Sequence, residues 1–374
     1  MANLSGRRIL LISPQPWEHL PVSKHHYALE LARENQVYFL DPPDAALRPG
    51  QVQVHAVPGT GRLHTVRHRL WFFRRVRFHW PGVYRLLVRG QVALIHKALG
   101  GPCDLVWCFD PNTFPDLRVF QARRSIFHPV DKLSDPRQRR VADSADLILA
   151  PARSYLDYID GAWAASRKRF LPHGLCPEFA ALAAAPLDPG CSGPGQGGVS
   201  CGYFGNLRRH EINVPIMRTL LAAHPGVTFH FWGPWDPQGE LGRLLNAAPN
   251  AVLHGAVAKA DLARAVASMD CFFLTYRNDP RQFDRDNPHK VLEFLATGKV
   301  VVASRMREYL ERPPDWVRMA QHDDDADLPG LFADTLARLA EFNRPELQQL
   351  RRRFALENSY RNHVAQVAEW LGEW

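Results

Sequence analysis

Short apolar runs alternate with amphipathic stretches along most of this chain. Residues 8–13, 37–40, 52–57, 105–109, 125–130, 147–150 and 168–171 read as buried strands, and residues 23–34, 115–122, 136–144 and 152–159 between them carry helical spacing. A second series begins at residue 199, with strands at 199–204, 227–232, 251–254, 271–276 and 300–303 and helices near 214–223, 240–246, 260–268 and 288–297. Strand and helix alternating in this way predict parallel sheets with helices on both faces. Residues 186–198, rich in Pro and Gly, form the sharpest break. The pattern divides the chain into a domain at 1–178, a linker at 179–198, a second domain at 199–350 and a terminal helix at 351–374 whose apolar positions suit packing across the junction.

One crossover organises the rest. In Asn287-Pro-His-Lys-Val-Leu-Glu-Phe-Leu-Ala-Thr-Gly-Lys-Val-Val-Val-Ala-Ser304, Asp286 or Asn287 is placed to cap a helix starting at Pro288, Gly298 to end it, and residues 300–303 to form a buried strand. The loop and the helix start then lie at the carboxyl edge of a parallel sheet, where open α/β folds bind ligands. Lys290 in the first turn and Glu293 one turn later share a face: a cation beside helix N–H groups suits phosphate, and a carboxylate further along suits sugar hydroxyls. An ordinary surface pair is the plain alternative.

With 374 residues, 46% of them hydrophobic and 22% charged, the chain has the composition of a soluble protein of two domains. The formal charge of +8 is uneven: between Asp44 and Asp104 there are nine Arg, one Lys and no acidic residue. Within that region, at 62–90, Trp71, Phe72, Phe73, Phe78 and Trp80 interleave with Arg67, Arg69, Arg74, Arg75 and Arg77, the composition of a helix lying on anionic headgroups. A solvated arginine face over an aromatic core is the competing reading; no nucleic-acid module accompanies the patch. Six cysteines lack metal-ligand spacing and read as buried thiols of a reducing compartment. No signal peptide or membrane-spanning run of about 18 apolar residues is visible, so a cytoplasmic protein is expected, with possible contact to the inner membrane face. Serine-hydrolase, Walker, dinucleotide and zinc motifs are missing.

Taken together, 287–304 resembles the nucleotide-sugar signature of GT-B glycosyltransferases, a Pro-x-Lys-x-x-Glu run before an Ala-x-Gly-x-x-Val-Val strand entry. Leu171-Pro-His-Gly-Leu-Cys-Pro-Glu-Phe179 resembles the end of that family's acceptor domain, and Gly202-Tyr-Phe-Gly-Asn-Leu207 the first strand and glycine turn of its donor domain. The resemblance implies two Rossmann-like domains facing across a cleft, with a C-terminal helix returning to the first. It implies a bacterial glycosyltransferase of exopolysaccharide or cell-surface glycan type, using a nucleoside diphosphate sugar, UDP favoured, and a glycan or lipid-linked acceptor, without metal or other cofactor. Glu293 matches the carboxylate that accepts the donor ribose hydroxyls, Lys290 a cation near the diphosphate, and Gly205 with Asn206 the turn that approaches it. Arg208, Arg277 and His289 are further donor-side candidates; Glu18, His19 and His25, after the first strand, are acceptor-side candidates.

Retaining members carry two glutamates separated by seven residues, but Arg285, flanked by Asp284 and Asp286, stands eight before Glu293. The segment around Asp131 resembles a Tyr-Asp-x-x-Asp type stretch of exopolysaccharide enzymes in which an Asp is the base of an inverting transfer. Asp131 is therefore the first candidate for the base and Asp110 the second; a helix-capping role for Asp131 stays open. A sugar-nucleotide epimerase and a non-catalytic binding partner in polysaccharide assembly are the alternative functions.

Overall fold

The computed structural model describes residues 4–19, 21–130, 136–157, 159, 167–187, 198–277, 287–312 and 315–372. It divides into two units, Met1–Pro172 with Tyr360–Trp374, and His173–Ser359. The boundary thus falls six residues before the expected 178, and the chain returns to the first unit at Tyr360 rather than near 351.

The first unit is built on eight strands, β1 (Arg8–Ile12), β2 (Gln36–Leu40), β3 (Val52–Ala56), β4 (Leu63–His68), β5 (Leu105–Cys108), β6 (Arg124–Phe127), β7 (Leu147–Ala150) and β8 (Lys168–Phe170). Their order is β3-β4-β2-β1-β5-β6-β7-β8, and every pair is parallel except β3 with β4. Ile9 to Ile12 and all of β5 and β7 are buried, as expected of strands covered by helices on both faces. The order reverses between β1 and β5, which makes the loops after these strands the natural site of this unit.

The main departure from the expected elements is β4. It runs parallel to β2, so Arg67 and Arg69 belong to the sheet margin and not to a helix on a membrane. Arg67 is ion-paired to Asp44 at 2.5 Å, and Arg69 donates to the carbonyls of Ala45 and Leu47. The helical part of the basic region is confined to Val76–His79 and Pro81–Leu99. Residues 115–122 form only a 3-10 turn at Leu117–Phe120.

The second unit carries β9 (Val199–Phe204), β10 (Val227–Trp232), β11 (Ala251–Gly255), β12 (Cys271–Leu274), β13 (Val300–Ala303) and β14 (Arg318–Met319) in the parallel order β11-β10-β9-β12-β13-β14. Its order reverses between β9 and β12. The chain leaving β12 returns to β13 through the helix His289–Ala296, in which every residue from Lys290 onward is buried. Pro288 is the N-cap residue, and among the described residues no side chain, that of Asn287 included, caps the helix; Asp286 lies outside them. Gly298, at φ +86°, follows the C-cap as expected, and an added Cβ would press on Arg352 Nε and Gln348 at 3.1 and 3.2 Å.

Part of the expected linker is helix: Pro177–Ala184 starts with Pro at its first position and buries Phe179 against Phe204, ring centroids 5.4 Å apart. At the C-terminus, the helix Pro345–Glu357 packs in the second unit and Tyr360–Leu371 in the first. Tyr360 stacks on His26, and the Tyr27 hydroxyl lies 3.0 Å from His363 Nδ1.

Candidate functional site

The point of reversal in the second sheet gathers the motif residues. β9 is followed by Gly205, whose φ of +136° is a conformation that L side chains rarely adopt. A Cβ there would run into the side chain of Lys290, and a Cβ on Gly233, at the end of β10, would run into the Gly205 carbonyl. The two glycines let three backbone segments converge over one lysine. Lys290 is buried, and its ammonium donates to the Tyr203 hydroxyl at 3.0 Å and to the Tyr276 hydroxyl at 2.7 Å, while lying 4.9 and 5.3 Å from the two ring centroids. Burial, reinforced by Tyr276, pushes the Tyr203 phenol well above its ordinary range, so it accepts as a neutral group. Among the described residues Lys290 has no carboxylate partner. A desolvated cation that meets only phenols among the described residues is chemically suited to an anion.

Glu293 lies one turn further along the same helix, also buried. Its carboxylate accepts from Lys259 Nζ at 2.6 Å and from the Cys176 thiol at 3.7 Å. Burial alone would lower the Lys259 ammonium, but the charge and hydrogen bond of Glu293 outweigh it and hold the group above its ordinary value. Burial and Glu293 together push the Cys176 thiol up, so it stays protonated and donates. Lys259 opens the helix after β11. Sequence reasoning missed both partners, because nothing local marks a lysine 34 residues upstream as the mate of Glu293. His289 is exposed, edge-on to His173 with centroids 5.9 Å apart.

The turn after Gly205 is held by Asn206, whose side chain accepts from the Arg208 N–H at 3.0 Å. Arg208 reaches the Trp235 carbonyl at 3.3 Å, and Arg209 pairs with Glu211 at 2.9 Å. Arg208, Arg209 and Arg277 line a cavity of about 590 Å³ with Trp235, Asp236 and Glu240. The donor-side candidates therefore fall into two groups, Lys290 with Glu293 beneath the glycine turn and the arginines beside it.

In the first unit Asp131 lies outside the described residues, as do Asp284, Arg285 and Asp286 of the second. Asp110 is buried at the end of β5, with one oxygen accepting from Asn112 N at 2.9 Å and the other from Thr113 N at 3.1 Å. Both carboxylate oxygens thus hold the turn. Glu18 and His19 are exposed. His25 is not: it stacks between Trp17 and Phe39, its Nδ1 accepts from Val22 N, and burial, with Lys24 nearby, lowers it to about 4. It is a neutral core imidazole.

A carboxylate that the sequence did not single out lies at the carboxyl end of β2, the neighbour of β1. Asp41, just past β2, is buried and accepts from the Trp17 N–H at 2.9 Å. Burial pushes its carboxyl up to about 7, against the Trp17 bond and Arg67 and with help from Glu18. A carboxyl of that strength exchanges protons near neutral pH. Of the basic patch, Arg74 and Arg75 are exposed, whereas Arg77 is half-buried and donates to the Asn112 carbonyl at 3.1 Å.

Residues 199–341 match the family model described as Glycosyl transferases group 1. No curated protein matches the sequence. Among solved structures, the chain is similar to a glycosyltransferase from Rickettsia africae (10% identity, 99% of this chain and 100% of that chain, TM-score 0.68). It is similar to a UDP-forming trehalose-phosphate synthase from Burkholderia xenovorans (13%, 98% of each chain, TM-score 0.65). Anabaena Alr3699/HepE in complex with UDP and glucose is a third (16%, 98% and 100%, TM-score 0.61). At these identities the structural likeness is one of fold, and that fold is GT-B; the family match covers the second unit's site. The GT-B fold read from the sequence is borne out by these structures, and the glycosyltransferase class by the family match over residues 199–341.

Proposed function

We propose that this chain moves a sugar from a nucleoside diphosphate sugar, with UDP as the favoured nucleotide, to a hydroxyl of a glycan or lipid-linked glycan. Lys290 carries the reading: a buried ammonium beneath a glycine turn, held by two phenols and, among the described residues, by no carboxylate, is suited to a diphosphate. As the leaving diphosphate gains charge, this cation and the nearby backbone N–H groups would stabilise it without a metal. Glu293 would accept the ribose hydroxyls, exchanging its hydrogen bond from Lys259 for theirs. UDP is favoured because HepE is described with UDP and with UDP-glucose, and the trehalose-phosphate synthase is described as UDP-forming. Asp131 is assigned the base of an inverting transfer.

The test is a thermal-shift comparison of UDP, GDP, CDP and dTDP on the wild type and on Glu293→Ala. UDP at 100-fold over its dissociation constant is expected to stabilise the wild type by about 2.7 kcal/mol and the variant much less. No stabilisation by any nucleotide would sink the reading.

A further inference from the structure

Among the described residues, six of the eleven exposed large hydrophobic side chains fall between positions 71 and 86: Trp71, Phe73, Phe78, Trp80, Val83 and Leu86. Phe73 is 85% exposed, Trp80 65% and Leu86 64%. Trp71 is explained by the fold, since its indole N–H donates to the Leu87 carbonyl and its ring lies over Gly90. Phe73, Trp80 and Leu86 have no such explanation. The helix Pro81–Leu99 shows the same anomaly along its length. Its second half turns Val88, Gln91, Val92, Ile95 and Leu99 inward, as one apolar stripe should, but its first turns are apolar on both sides, with Tyr84 buried and Val83 and Leu86 facing out. Apolar side chains clustered on the outer face of a helix end, between its arginines, mark a contact surface.

Charge says what covers it. Arg74, Arg75, Arg85 and Arg89 are exposed around these side chains, and the sequence holds no acidic residue from 45 to 103. Arg85, Leu86 and Arg89 also line a recess of about 320 Å³ with Val119 and Asp116; the Asp116 carboxylate is already paired to Arg118 at 2.9 Å. A protein partner of ordinary composition offers apolar area or carboxylates in patches. An anionic bilayer offers both everywhere, phosphates above and acyl chains beneath.

We propose that residues 73–89 dock on an anionic phospholipid surface, with Phe73, Trp80 and Leu86 entering the interfacial layer and Arg74, Arg75, Arg85 and Arg89 in the plane of the phosphates. Arg67, Arg69 and Arg77, committed to Asp44 and to backbone carbonyls, take no part. The proposal is independent of the nucleotide reading, because no residue of the second unit enters it.

The experiment is co-sedimentation of the full chain with vesicles of phosphatidylcholine alone and of an equal mixture of phosphatidylcholine and phosphatidylglycerol. Binding is expected to the mixture, about tenfold weaker to the neutral vesicles, and reduced at about 1 M salt, where screening is nearly complete. Phe73→Ser with Trp80→Ser, and separately Arg74→Glu with Arg75→Glu, are each expected to lower it about tenfold while leaving the thermal midpoint unchanged, because these side chains are exposed. Absence of binding to the mixture, or both double variants binding like wild type, overturns the proposal. So does a concentration-dependent dimer that Phe73→Ser abolishes in a chain that ignores vesicles; that result would give the face to a second copy.

Discussion

The ammonium of Lys259 lies 2.6 Å from the carboxylate of Glu293, joining the start of one helix to the middle of the buried one that follows β12. The carboxylate expected to receive a ribose is therefore neutralised already. Lys259→Met removes the partner of a buried charge. Because the lysine side chain is 40% exposed, a loss of about 1–2 kcal/mol is expected, below that of a fully buried pair. The folded lysine is held above its unfolded value, so its contribution is complete below about pH 10.4 and fades as the pH climbs through the folded value. Urea titrations of both proteins should show a constant gap from pH 7 to 9 that narrows above about pH 10.4.

Gly205→Ala tests the convergence of backbone over Lys290. The new methyl meets the lysine side chain in a conformation already unfavourable for alanine, so a loss of about 2 kcal/mol or more is expected, together with loss of nucleotide stabilisation. Gly226→Ala, whose methyl meets nothing within 4 Å, should stay within about 0.5 kcal/mol of wild type.

Lys290→Met separates binding from folding. The methionine fills most of the same volume and removes a buried cation that has no carboxylate partner among the described residues. Stability is expected to hold within about 1.5 kcal/mol. UDP affinity by calorimetry should fall at least tenfold; unchanged affinity would remove Lys290 from the donor site.

Asp41 supplies a dependence of the same sign as that of Lys259, in a lower pH window. Its folded carboxyl is raised to about 7, so the unfolded chain releases its proton first and stability is lost as the pH rises from about 4 to about 7. Asp41→Asn keeps an acceptor for Trp17 and avoids the charge. Relative to wild type it should gain about 1–3 kcal/mol between pH 5 and pH 8, measured by urea unfolding. If Asp41 also exchanges a proton with substrate, the same variant will lose the limb near 7 from the pH profile of kcat/KM.

The central strands and the helix His289–Ala296 were legible because burial on both faces leaves uninterrupted apolar runs, and because Gly298 punctuates the helix end. β4 was hidden by its position near the sheet margin. Only Leu63, Val66 and His68 are buried there, and Arg67 and His64 interrupt any simple alternation. Within the site, Gly205, Lys290 and Glu293 could be named since each stands at a point where chain geometry and chemistry coincide. Tyr203 stands two residues before Gly205, but Tyr276, Lys259 and Cys176 come from three other segments, and only the fold brings them within reach. His25 misled for the same reason in reverse, as a polar letter whose ring is packed between Trp17 and Phe39.

The return of the chain at Tyr360 imposes an order on synthesis. All of the second unit lies between two stretches of the first, and the first unit's core counts Tyr360, Val367, Ala368 and Leu371 among its buried members. During translation the residues 173–359 emerge as one uninterrupted block and can fold as soon as they clear the ribosome. The earlier-made unit must wait, its helix Ser23–Leu31 uncovered on the side that Tyr360 and His363 will occupy, until the last segment arrives. A chain stopped before Tyr360 would leave the second unit able to fold and the first permanently open.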